Sequence, residues 1–325
     1  MGHNEEANNQ ISVVMTTFNG SEFIQVQLES ILCQTVLPAE IVIVDDCSSD
    51  NTFDILKYYA DMHPIIKIYR NEINLGAHQN FRKAFSLSSF PLIAPSDQDD
   101  IWREDKLELL RTLLLEKDVD LVYSQEEILW ENGSFSFSMQ EMPDVKRLMW
   151  GNNLKGHTFL FRRELLRVFD VAKDLSFDYA LALRACVCGR YASTKEPLST
   201  WRRHSGCCTT AVTEHSELIV DNATRKEKIQ YTALHLKKEK SSAMEKSFLD
   251  RGRVLAMDDM AFGRLLNVCN GVAKQTIWSM TRASINNAIA WCDGGGLKSA
   301  MARFFWAMRQ PWIYWYDMHK LHALE

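Results

Sequence analysis

The 325-residue sequence predicts an α/β fold, a doubly wound and mostly parallel sheet flanked by helices, with an α-helical C-terminal extension. Three patterns point there. Over the first 125 residues, short β-branched runs alternate with segments whose apolar residues recur at helical spacing. The runs end in unusually polar clusters, as strands do when their carboxyl ends form a ligand-binding rim. Beyond Ala211 the pattern is helical throughout.

Each element follows in order. A strand over Ile11–Met15 leads to a helix over Glu22–Leu32, and a strand over Ile41–Val44 leads to a helix over Thr52–Met62. Ile65–Tyr69 and Leu92–Ala94 read as the third and fourth strands, followed by helices over Gln79–Leu87 and Lys106–Leu115. Val119–Tyr123 continues the alternation, and right-handed crossovers join such units. Asp50 and Asp100 stand where N-caps of the second and fourth helices are expected. Further on, Glu131-Asn132-Gly133-Ser134 marks a hairpin turn. Thr158–Phe161 reads as a strand and Tyr179–Val187 as a buried helix. Gly294-Gly295-Gly296 interrupts the C-terminal helical pattern, and residues 1–10 are polar and flexible, without a signal peptide's apolar core.

Composition removes several classes. Hydrophobic residues make up 46% and charged residues 24%, so the chain buries a substantial core and is neither disordered nor collagen-like. No apolar run is long enough to span a membrane. The net charge of −5 argues against nucleic acid as a partner. That charge is unevenly placed: residues 221–325 hold 16 Lys and Arg against 10 Asp and Glu, so residues 1–220 carry the acidic excess. The eight cysteines include no C-x-x-C pair, which fits thiols in a reducing cytoplasm better than a zinc module or a disulfide frame.

Asp97, Asp99 and Asp100 follow the fourth strand directly. Two carboxylates about 4 Å apart repel by roughly 4 kcal/mol at an effective dielectric near 20. A hard divalent cation, Mg²⁺ or Mn²⁺, removes that penalty and leaves coordination positions for phosphate oxygens; a solvated acidic turn is the simpler reading of the same triplet. No glycine-rich phosphate loop follows the first strand, which excludes dinucleotide cofactors and P-loop chemistry. Side chains must then hold a nucleotide, and Asp46 is suited to accept from an imide N–H. A turn-forming aspartate is the simpler alternative there.

The strings Thr16-Thr17-Phe18-Asn19-Gly20, Ile41 to Thr52 (I-V-I-V-D-D-C-S-S-D-N-T), Asn74-Leu75-Gly76 and Ser96 to Trp102 (S-D-Q-D-D-I-W) resemble glycosyltransferase family 2. The likeness is strongest to the bacterial rhamnosyltransferase-like branch. It continues through Gly156–Leu165, Phe177–Ala185 and Glu196–His204, covering about residues 11–210. The resemblance implies a GT-A fold and an inverting, metal-dependent transfer of a sugar from a dTDP- or UDP-linked donor. The implied acceptor is a hydroxyl of a glycan or lipid-linked oligosaccharide, and the setting is bacterial surface polysaccharide synthesis. It implies that residues 11–212 form the catalytic domain, with donor binding over 11–125, the acceptor half over 126–212, and a helical region over 213–325. Carried over by position, Thr17, Asn19, Asp46 and Asp97 would contact the donor, and the basic cluster around His204 adds Arg203 to the donor's phosphates. Asp99 and His204 would hold Mn²⁺ or Mg²⁺, and Asp178 would be the general base. The branch usually has His and Trp around that base, where this chain has Phe177 and Tyr179, and a glycine where it has Cys47.

Other readings stay open at this point. A sugar-phosphate nucleotidyltransferase needs a basic glycine-rich loop after strand one, which Thr16–Gly20 does not supply. A catalytically silent nucleotide-sugar-binding subunit is the rival from a different class. His157 either faces the acceptor or is structural, and Trp102 is either core or a wall against the donor. The tail places Phe304, Phe305, Trp306, Trp312, Tyr314, Trp315 and Tyr316 within thirteen residues. It either packs as a helical core or homodimer face, or contacts the anionic inner leaflet of the plasma membrane peripherally.

Overall fold

β-branched and aromatic residues form the strands, and the computed structural model describes residues 9–138, 140–142, 152, 154–170, 172–173, 175–204 and 254. All but the last lie in a unit spanning Met1–Ala243; a second unit spans Met244–Glu325. The expected flexible start over residues 1–8, the boundary near 212, the helical region over 213–325 and its aromatic run lie outside the described residues.

The strands are β1 (Ile11–Thr17), β2 (Glu40–Asp45), β3 (Ile66–Arg70), β4 (Leu92–Ser96), β5 (Ile101–Trp102), β6 (Leu121–Leu129), β7 (Phe135–Ser138), β8 (Phe159–Arg162) and β9 (Tyr191–Arg202). They form one sheet in the order β3-β2-β1-β4-β8-β6-β9-β5, with β7 paired to β6 off that path. β1 is parallel to both β2 and β4, and β2 is parallel to β3. Every residue of β2 and β4 is buried, so both read as nearly continuous apolar runs.

Beyond β4 the sheet is mixed. β8 runs antiparallel to β4 and β6, β5 to β9 and β7 to β6, while β6 and β9 are parallel. The expectation of a mostly parallel sheet therefore holds for β1–β4 and gives way after them. A buried strand such as Phe159–Phe161 has the same composition in either direction, so topology alone sets its sense. The β6–β9 register slips around Gln125, an irregularity that re-aims neighbouring side chains.

The helices are α1 (Ile24–Leu32), α2 (Thr52–Met62), α3 (Ala77–Leu87), α4 (Lys106–Lys117) and α5 (Phe177–Cys188). Ile11, Val13 and Met15 of β1 alternate toward one face. There they pack with Leu28 and Ile31 of α1, Leu56 of α2 and Leu110 of α4. Each such buried side chain contributes about 1.5–3 kcal/mol. A separate aromatic group joins α3, β8 and α5: Phe85 meets Phe161 and Phe177 edge-on at 5.8 and 5.4 Å, and Phe81 lies 4.4 Å from Phe177. Asp118 (φ 46°) ends α4 and Gly189 (φ 66°) ends α5, both in the left-handed conformation that stops a helix.

Asp50 is not the N-cap of α2, a position Asn51 takes; it lies one residue earlier and accepts from the Thr52 N–H at 3.0 Å. Asp100 does not cap a helix: β5 intervenes, α4 begins at Lys106, and Asp100 is buried. The hairpin is present, with Gly133 at φ 78° and the Trp130 N–H donating to the Ser134 carbonyl at 2.9 Å. The twelve-residue β9 was outside the expected elements. Its Lys195, Glu196 and Pro197 interrupt any apolar alternation. Among the described residues no helix is long and apolar enough to cross a membrane.

Candidate functional site

The carboxyl ends of β1, β2 and β4 lie side by side, and their polar loops interlock. Asp45 is fully buried and accepts from Thr17 Oγ1 at 2.9 Å and from the Ser48 N–H at 3.0 Å. Asn19 adopts φ 46° and accepts from the Ser49 N–H at 2.8 Å, tying the first loop to the second. Asp46 accepts from Asn71 Nδ2 at 2.6 Å and from the Leu75 and Gly76 N–H groups, each at 2.8 Å. Its carboxylate thus shapes the 71–76 loop. Cys47 adopts φ 66°, a conformation glycine takes at no steric cost. Gln98 reaches across to Phe18, accepting from its N–H at 2.9 Å and donating to its carbonyl at 3.1 Å. A Cβ on Gly20 would fall 2.2 Å from Gln98 Oε1, so glycine permits this closure.

The acidic loop after β4 divides its carboxylates. Asp97 is 44% exposed at the rim, Asp99 is 17% exposed, and Asp100 is fully buried. His157 lies behind them, its Nδ1 3.3 Å from Asp97 Oδ2 and 3.4 Å from Asp100 Oδ2. Its Nε2 is 2.7 Å from Glu126 Oε2, and Lys155 pairs with the other oxygen of Glu126. Lys106 Nζ donates to the His157 carbonyl at 2.7 Å and sits 3.9 Å from the Trp102 ring centre, so Trp102 is core here.

Burial opposes charge on all of these groups, and their mutual pairing decides the outcome. His157 is desolvated, yet the carboxylates around it push it up to about 10. Glu126 is also desolvated, yet His157 and Lys155 pull it down to about 2. Burial raises Asp100 to about 7 and lowers Lys106 to about 7. Asp99 is raised by burial and by the nearby charge of Asp97. Sequence reasoning missed Glu126, Lys106 and Lys155, because charged residues at strand and helix positions look like solvated ones until the tertiary fold buries them.

Asp178 is half-buried in the first turn of α5. Asn152 Nδ2 donates to its Oδ2 at 3.1 Å, and the Tyr179 N–H donates to its Oδ1 at 2.8 Å. Burial raises its pKa, and the charge of Asp97 adds to the shift. Gly156 permits the approach of this helix: a Cβ there would lie 2.2 Å from the Phe177 ring and 3.4 Å from Asp178 Cβ.

The end of β9 completes the rim. His204 Nε2 lies 2.9 Å from Asp99 Oδ2, and the His204 ring stacks on Phe23 at 4.0 Å. Arg202 Nε donates to the Asp99 carbonyl at 2.6 Å. Arg203 turns away into a buried stack, 4.4 Å from the Trp201 ring and 5.7 Å from that of Trp130. The expected residues Thr17, Asn19, Asp46, Asp97, Asp99, Asp178 and His204 are thus on or beside the rim, whereas Arg203 is buried against Trp201 and Trp130.

The donor set suits a hard divalent cation. Asp97, Asp100 and His157 offer ligand atoms within 4.8 Å of one another, and both Asp100 oxygens are buried without a hydrogen-bond partner. The ring nitrogens of His157 face carboxylates and Asp100 is closed off, so the groups facing the rim are Asp97 and the paired Asp99 and His204. Carboxylate oxygens with one imidazole match Mn²⁺ or Mg²⁺.

Comparison with known proteins agrees with this architecture. The family profile "Glycosyl transferase family 2" matches residues 12–172. Escherichia coli WfgD, named as a UDP-Glc:alpha-D-GlcNAc-diphosphoundecaprenol beta-1,3-glucosyltransferase, is 34% identical over 175 residues, covering 53% of this chain and 68% of its own. Bacillus subtilis TuaG, a putative teichuronic acid biosynthesis glycosyltransferase, is 31% identical over 124 residues, covering 38% of this chain and 49% of its own. An uncharacterized Mycobacterium tuberculosis protein is 26% identical over 205 residues; the match covers 60% of this chain and 59% of that relative's length. The crystal structure of S. aureus TarS residues 1–349 with UDP-GlcNAc superposes with a TM-score of 0.52 at 18% identity, covering 78% of this chain and 82% of that one, a likeness of GT-A fold. With its polar rim, its acidic loop after β4 and this match to WfgD, the chain belongs to glycosyltransferase family 2.

Proposed function

We propose that this chain is a metal-dependent inverting glycosyltransferase that moves a sugar from a nucleotide-sugar donor to a hydroxyl of a glycan or lipid-linked saccharide. The observation that carries the reading is Asp178, oriented by Asn152 at the start of α5 and packed against Gly156, next in sequence to the His157 that faces Asp97. A carboxylate there is placed to take the proton of an acceptor hydroxyl. The raised pKa makes it a stronger base once ionised. Attack then comes from the face opposite the departing diphosphate, which inverts the anomeric carbon.

Thr17, Asn19 and Asp46 are assigned to the donor and Asp97 to the donor's ribose or the metal site, with Arg203 at the end of β9 beside them. Asp99 and His204 are assigned to Mn²⁺ or Mg²⁺. When bound, such a cation neutralises charge gathering on the leaving diphosphate. His204, stacked on Phe23 and 2.9 Å from Asp99, would hold the cation together with it. The name of WfgD supports a UDP-linked hexose and a lipid-linked acceptor, and that of TuaG supports surface polysaccharide synthesis. The rhamnosyltransferase-like strings support dTDP-rhamnose. Such an acceptor places the protein in the cytoplasm, at the inner face of the plasma membrane.

A thermal-shift panel of UDP, dTDP and GDP, each with and without Mn²⁺, tests this reading. At 100 times its dissociation constant the right nucleotide adds about 2.7 kcal/mol of stability. That shift should depend on Mn²⁺, and no shift from any nucleotide defeats the proposal. Slow Mn²⁺-dependent hydrolysis of the matching donor separates an enzyme from a silent binding subunit.

A further inference from the structure

Three separate elements meet at the His157 ring. Glu126 comes from the irregular stretch of β6, His157 from the turn Gly156–Thr158, and Asp97 and Asp100 from the loop that follows β4. Both ring nitrogens face carboxylate oxygens, Nε2 toward Glu126 and Nδ1 toward Asp97 and Asp100, so both act as donors. The ring is 4% exposed and Glu126 is fully buried, whereas Asp97 emerges at the rim. Lys106 fixes the His157 carbonyl, and Lys155 fixes the far side of Glu126. Glu126 therefore reaches the rim through His157.

We propose that His157 is a positioning residue of the transfer site, anchored by Glu126 and aiming Asp97 beside Asp99 so that the rim is preset for a divalent cation. The inference rests on the glycosyltransferase reading, which assigns a cation to that rim. It adds that the acceptor-side half of the sheet sets the geometry of the donor-side ligands. Partners that orient metal ligands from behind typically cost 10–100-fold in metal affinity or activity when removed.

The test is Mn²⁺ binding by the full chain at fixed pH, read from the electron paramagnetic resonance of free Mn²⁺, with circular dichroism to establish folding. Two variants are compared with the wild type, His157→Gln and the near-isosteric Glu126→Gln. Positioning predicts that both weaken Mn²⁺ binding 10–100-fold while remaining folded. A role in charge or packing alone predicts the opposite for His157→Gln, because loss of a neighbouring cation leaves Mn²⁺ affinity unchanged or tighter. Folded variants with wild-type or tighter affinity overturn the inference, and so does failure of both to fold, which assigns the group to folding alone. A wild-type chain that binds neither Mn²⁺ nor any nucleoside diphosphate overturns the transferase reading and this inference together. Wild-type binding with unaffected variants overturns this inference alone.

Discussion

Cys47 holds a left-handed backbone, φ 66°, in the turn after β2, with its Sγ 3.8 Å from the Glu72 carbonyl. That conformation costs an L-residue roughly 1–2 kcal/mol, more than the roughly 0.5–1 kcal/mol that glycine's extra chain freedom costs. Cys47→Gly should therefore raise stability by about 0.5–1 kcal/mol in urea denaturation, whereas a β-branched residue there should lower it. Asp178 is the residue proposed as general base. Asp178→Asn keeps the shape and the Asn152 contact region but removes the base, so turnover should fall about 10²–10⁴-fold. Mn²⁺-dependent nucleotide binding, measured by the thermal shift, should persist in that variant. Full turnover would remove Asp178 from the role of base.

At the scale of elements, the approach of α5 to the rim depends on a missing side chain. A Cβ at position 156 would lie 2.2 Å from the Phe177 ring, so Gly156→Ala must push the start of α5 and Asp178 with it. Overpacking of this kind costs about 1–3 kcal/mol. The expected result is a lower melting temperature together with lower turnover, and Phe177→Leu in the same chain should restore part of both. β1, β2 and α2 were legible within two residues of their ends, because their periodicity is undisturbed. The polar strand ends were legible for the same reason: Asp46, Asp97 and Asp99 interrupt apolar runs. β9 was not, since its charged middle segment owes its strand form to pairing with β6 and β5. Asp100 reads locally as a cap, and only the insertion of β5 shows it to be buried. Glu126 carries no local mark of burial either; its neighbours in sequence, Gln125 and Glu127, are equally polar.

At the scale of the whole described structure, buried charge couples stability to pH. Burial raises the Glu126 pKa, but His157 and Lys155 outweigh it and bring it to about 2, below the ordinary 4.5. A depressed carboxyl contributes stability that is present above its unfolded pKa and lost as pH falls through the folded one. The melting temperature should therefore drop as pH is taken from about 4.5 toward 2, and Glu126→Gln should flatten that drop. Glu40, at the opposite end of the sheet, is desolvated but lowered by Lys67, Ser12 and Ser89, and adds to the same acid limb. An acid limb equally steep in Glu126→Gln would detach the group from acid stability.

β4 has a parallel neighbour on one side and an antiparallel neighbour on the other. Both halves of the sheet are thus hydrogen-bonded to one five-residue strand, and neither can separate without exposing its backbone. The β1–β3 half and the β8-β6-β9 half should consequently melt in one cooperative step, and the β4 amides should be among the last to exchange with deuterium. Ser96, the last residue of that strand, opens directly into the acidic loop, so the ligand groups hang from the segment that opens last.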